Sequence, residues 1–64
     1  MTEKPRVGSL VMYADRSVRP LAWVGVVVPL SNPYWEDSVG VKWAEFPQVV
    51  EEWVKELEVI SESR

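Results

Sequence analysis

The sequence predicts a single, very small all-β domain, a strongly bent barrel of about five strands. Three observations carry this reading. The chain has only 64 residues. Its apolar residues fall in short runs, at 8–13, 22–28, 39–43 and 53–60, each closed by residues that favour turns. Valines and aromatics dominate those runs, and these side chains suit a pleated, half-buried surface.

Residues 1–6 are polar, contain Pro5 and read as a loose arm. Gly8 then opens the first strand. Side chains alternate along a strand, so Leu10 and Met12 share one side while Val11 and Tyr13 share the other. Residues 14–20 are charged, end in Pro20 and form a loop. Residues 21–30 hold the longest β-branched run. Gly25 in its middle reads as the bulge or bend that a small barrel needs to close. Pro29 has no amide hydrogen and ends ladder pairing. The stretch 31–37 begins with turn chemistry and ends with two aromatics beside two carboxylates, Tyr34-Trp35-Glu36-Asp37. Residues 38–43 alternate, with Val39, Val41 and Trp43 on one face and Ser38, Gly40 and Lys42 on the other. Residues 44–48, with Pro47, make a connection.

Residues 48–60 admit two readings. Apolar residues at 49, 50, 53, 54, 57 and 60 have helical spacing, and glutamate and lysine favour helix. The other reading is a strand over 49–54, a single turn at 55–57 and a last strand over 58–60. Val59-Ile60 favours strand for 58–60 in either case. The domain thus spans 7–61, between an arm at 1–6 and a short tail at 62–64.

Composition excludes several function classes. With no cysteine and no histidine, the chain has no disulfide, no thiolate zinc site and no cysteine nucleophile. It also lacks the side chain best suited to proton transfer near neutral pH. Acidic pairs occur only as sequence neighbours, Glu36-Asp37 and Glu51-Glu52, and strand neighbours point to opposite faces. No nucleophile–base pair, phosphate-cradling glycine loop or metal-spaced ligand set is present. The sequence therefore implies neither an enzyme nor a cofactor. Domains this small bury a modest share of their surface, so aromatic packing by four tryptophans, two tyrosines and one phenylalanine must supply much of the stability. No stretch approaches a membrane span, and the first residues lack the apolar core of a signal peptide. A reducing cytoplasm suits such a chain.

The net charge is −3, whereas a protein that neutralises phosphates is usually basic. The basic residues concentrate early, at Lys4, Arg6, Arg16 and Arg19, and the glutamates late, at Glu51, Glu52, Glu56, Glu58 and Glu62. Arg16 and Arg19 could contact phosphate or an acidic protein surface, but nothing aromatic interleaves with them; a solvated loop is the simpler reading. The late glutamates read as an ordinary half-exposed surface or as an acidic docking face.

The order of strand, long loop, long strand, turn, strand, connection, strand, one turn and final strand resembles the SH3-like barrels, including their Tudor, KOW and photosystem accessory-subunit branches. The Gly8-Ser9-Leu10-Val11 opening, Gly25-Val26-Val27-Val28, Val39-Gly40-Val41-Lys42-Trp43 and the close at Trp53-Val54 and Leu57-Glu58-Val59-Ile60 carry that resemblance. The combination is also similar to small uncharacterised proteins of tailed phages, especially those infecting marine cyanobacteria. The chain departs from the ligand-binding patterns of these branches. Only Tyr13 stands where peptide-binding SH3 domains carry several tyrosines, Trp43 stands without a paired tryptophan, and the basic glycine-rich turn of KOW modules is missing. The resemblance thus implies the barrel and not a ligand.

The expected function is that of a small non-enzymatic interaction module, a phage accessory protein acting in the host cytoplasm on a host or phage protein. Its expected surface comprises Tyr13, Arg16, Arg19, Tyr34, Trp35, Glu36 and Asp37. Trp35 is the apolar anchor, the charges set orientation, and Tyr13 and Trp43 are further walls for a cationic group. In the competing reading, Trp35 folds back to cover the open end of the small core. Trp23, Trp43 and Trp53 are expected in the core, and any of them left exposed becomes an interface candidate. A nucleic-acid-binding barrel using Arg16 and Arg19, and a self-associating structural subunit, are the alternatives.

Overall fold

A computed structural model describes residues 4–15 and 23–62. Alternating valines there form five antiparallel strands: β1 (Leu10–Tyr13), β2 (Gly25–Val28), β3 (Ser38–Trp43), β4 (Val49–Trp53) and β5 (Leu57–Ser61). A three-residue 3-10 turn, Val54–Glu56, separates β4 from β5. The segment that admitted a helix is therefore strand, turn and strand. Its helical spacing arises because Val50 turns inward on β4 while Val54, in the turn, and Leu57, just beyond it, pack on the same core.

The strands form one sheet in the order β4-β3-β2-β1-β5. The edge strands β4 and β5 are thus joined by three residues. Four strand spacings of about 4.8 Å would hold flat edges roughly 19 Å apart, while three residues reach at most about 10 Å. The sheet must roll up at this end. No β4–β5 ladder forms, so the expected closed barrel is instead a curled open sheet. Backbone bonds beyond the strands hold the curl: Ala14 N–H donates to the Glu56 carbonyl at 2.9 Å, and Val54 N–H donates to the Asp37 carbonyl at 2.9 Å.

Register fixes what faces inward. Val11 pairs with Gly25, Gly25 with Trp43, Val27 with Val41, and Val41 with Val50. The concave core is correspondingly small: Val11, Val27, Val39, Val41 and Trp43, with Tyr13, Trp23, Val50, Val54 and Leu57 packed against it. Tyr13 stacks on Trp43, with centroids 4.8 Å apart and 15° between planes, and Trp23 leans on the same indole at 6.0 Å.

Gly25 is not a bulge, because it pairs in register with both neighbouring strands. The irregularity lies between Leu10 and Val11 in the β1–β5 ladder. Gly25 is required by crowding. A Cβ there would lie 2.4 Å from Val41 Cγ1 and 2.9 Å from Trp43 Cε3. Gly8 has φ 96°, in the left-handed region that favours glycine. Its N–H donates to the Val27 carbonyl at 2.8 Å, which seats the start of β1 on β2.

Overpacking of this kind costs roughly 1–3 kcal/mol. Gly25→Ala is accordingly expected to lower the thermal unfolding midpoint by about 5–15 °C at this domain size. Unchanged melting followed by circular dichroism would show that the Trp43 indole moves aside without cost.

Candidate functional site

The two adjacent glutamates of β4 organise the molecule from opposite faces. Glu52 pairs with Val39 and turns into the curl, while Glu51 pairs with Gly40 and turns outward. Inside, Glu52 Oε2 accepts the Trp43 indole N–H at 2.9 Å and also accepts the Tyr13 hydroxyl. One carboxylate thus ties β1, β3 and β4 together around the stacked rings.

Outside, Glu51 holds the β2–β3 loop. Its Oε2 accepts the backbone N–H groups of Tyr34 and Trp35, each at 2.8 Å, and the Ser38 hydroxyl at 2.5 Å; its Oε1 lies 3.0 Å from the Tyr34 nitrogen. Ser38 Oγ also lies 2.7 Å from the Trp35 carbonyl oxygen, so its single proton is shared between the two acceptors. The Ser38 hydroxyl, with the Trp35 and Tyr34 amides and the charge of Lys4, holds the Glu51 carboxyl below its ordinary value near 4.5. Hydrogen bonds donated to a carboxylate favour its ionised form.

This latch presents a second aromatic group on the outer side of the sheet. Trp35 meets Trp53 edge-on, with centroids 5.2 Å apart and 65° between planes. Tyr34 meets Trp35 at 4.9 Å and 87°. Such angled pairs match the ring quadrupoles. All three rings keep substantial exposure: 81% for Tyr34, 43% for Trp35 and 41% for Trp53. Trp35, Trp53, Val54, Glu36, Asp37, Lys4 and Lys55 line an open groove of about 500 Å³. Lys55 Nζ lies 5.2 Å from the Trp53 ring centre.

The expected surface therefore divides. Tyr34, Trp35, Glu36 and Asp37 share one loop; Trp35, Glu36 and Asp37 line the groove, and Tyr34 stands against Trp35 outside it. Tyr13 faces the inner side, stacked on a Trp43 that is 1% exposed, so neither ring walls the groove. Arg16 and Arg19 lie outside the described residues. Trp35 packs on Trp53 rather than over the core. Trp53, expected in the core, is the missed member of the site. It joins the site through its register partner Ser38, which lies on the face opposite Val39, and that pairing has no signal in the local sequence.

Among the described residues, no cluster of histidine, cysteine, aspartate and glutamate could hold a metal ion, and no helix is long and apolar enough to cross a membrane. No family model matches the chain, and neither a curated protein nor a solved structure shows significant similarity to it.

The latch makes a pH dependence with a defined sign. The folded Glu51 value lies below the unfolded one, so its contribution is complete above about pH 4.5 and is lost as pH falls through the folded value. The Tyr34 and Trp35 amide resonances are expected to shift together on acidification below pH 4.5. In Glu51→Gln they should already sit at altered positions near neutrality and respond little to acid. An acid response of these amides that is the same in Glu51→Gln and in the native protein would assign the transition to another group.

Proposed function

We propose that the protein is a small non-enzymatic interaction module that binds a protein partner through the outer aromatic groove, with Trp35 as its anchor. The observation that carries this reading is the grouping in solvent of Tyr34 and Trp35, on a loop latched by Glu51, with Trp53 of β4. A domain with a core this small gains from every ring it buries. Three clustered rings left in water, edged by charge, have the make-up of an interface centre, where tryptophan and tyrosine are enriched. The latch orders the loop in advance, which lowers the entropy lost on binding. The resemblance to small tailed-phage proteins makes the partner a host or phage protein met in the host cytoplasm. Nucleic acid is the weaker reading, since Glu36 and Asp37 face the groove and the net charge is −3.

Trp35→Ala tests the reading. The ring lies outside the core, so the variant should keep the native circular dichroism spectrum. It should lose at least ten-fold in affinity for whatever partner the native protein captures specifically from its own cell lysate, the scale of an anchor residue. A partner that binds the folded variant equally well would place the interface elsewhere.

A further inference from the structure

We infer that the groove is a site for a basic side chain, a lysine or arginine of the partner, and that Lys55 is the internal cation such a side chain displaces. The inference rests on the interaction reading above and gives it a chemistry. Trp35 and Trp53, set at 65° to one another, form two ring walls. Glu36 and Asp37 stand beside them, and neither side chain makes a hydrogen bond or ion pair among the described residues. Ring faces attract cations, and unpaired carboxylates add to that attraction. The groove already draws one ammonium: Lys55 Nζ lies 5.2 Å from the Trp53 centroid, inside the roughly 6 Å range of a cation–π contact. About 500 Å³ remains open with Lys55 in place, a volume within the usual range of ligand sites.

The arrangement also selects against the opposite sign. An acidic side chain would gain only Lys4 and Lys55, both exposed, and would meet Glu36 and Asp37 beside the rings. A basic side chain gains the carboxylates and both ring walls, and its apolar stem covers indole surface that is now wet. Its cost is the like charge of Lys4 and competition with Lys55, whose contact is a single exposed one. Lys55→Met keeps an apolar stem of similar length on Trp53 and removes the competitor.

The test titrates the isotopically labelled full chain with N-acetyl-lysine methylamide and N-acetyl-arginine methylamide. The corresponding glutamate derivative serves as the control, and the indole N–H resonances of Trp35 and Trp53 are followed. Both basic probes should shift these two indoles, and the glutamate probe should not. Lys55→Met should bind the basic probes about three-fold more tightly, the weight of one exposed cation–π contact. The double variant Glu36→Gln, Asp37→Asn should bind them several-fold more weakly. Unmoved indoles in both the native chain and Lys55→Met, or an equal response to glutamate, would overturn the assignment. Equal affinity for the native chain and Lys55→Met would remove the displacement by Lys55. If partner capture still depends on Trp35 while the basic probes fail, the interaction surface stands and only its assigned chemistry falls.

Discussion

The fold depends on a carboxylate inside it. Four valines and one tryptophan are a slight core for a five-stranded sheet, and the tryptophan brings a polar N–H that must find a partner once buried. Glu52 supplies the acceptor, and the same oxygen takes the Tyr13 hydroxyl. Drawing a carboxylate inward costs solvation, and two bonds to a charged acceptor offset that cost. The resulting chain, Tyr13 to Glu52 to Trp43, spans three strands that are not all neighbours, since β1 and β4 lie apart in the sheet order. It is a side-chain substitute for the ladder that the open edges lack. Glu52→Ala is accordingly expected to leave the Trp43 N–H unpaired and to cost about 1–3 kcal/mol in chemical unfolding. Glu52→Gln, which keeps a carbonyl acceptor, should cost less, and equal losses would show that the charge rather than the acceptor matters.

Strand parity then divides the work of β4. Because successive side chains alternate, Glu51 must point away from the core if Glu52 points into it. It meets the returning β2–β3 loop there and takes up backbone N–H groups that no strand partner satisfies. Two residues further along the same face comes Trp53, against which Trp35 leans. The outer groove is thus built on the strand whose inner face closes the curl. The rings of the groove and the rings of the core are separate groups on opposite faces, held by consecutive residues of one strand.

Much of the fold was legible in the alternation of apolar residues. The faces of β1 and β3 and the stop at Pro29 follow from period-two patterning and from proline chemistry. What escaped depends on contacts between segments distant in sequence. Gly25 looks like any strand glycine until Trp43 is placed opposite it. Val-Val-Glu-Glu-Trp has a helical spacing and a strand parity at once, and only pairing with β3 chooses between them. Glu51 and Glu52 read as surface because glutamate is rarely inside without a partner, and their partners, a loop backbone and the polar heads of one buried and one half-buried aromatic ring, have no local sequence signature.

The same reasoning explains why the aromatic loop was found as a site while its third ring was missed. Tyr34-Trp35-Glu36-Asp37 declares itself because all four residues are adjacent. Trp53 belongs with them only through the Ser38–Trp53 pairing, which sets it beside the end of that loop. A tryptophan in an apolar run is ordinarily core, and here the core had no room: Trp43 already fills the concave face, with Tyr13 and Trp23 packed on it. A fourth large ring had to go to the other side of the sheet. There it could be shielded only by another exposed ring, and that mutual shielding leaves both edges of the pair open to a partner.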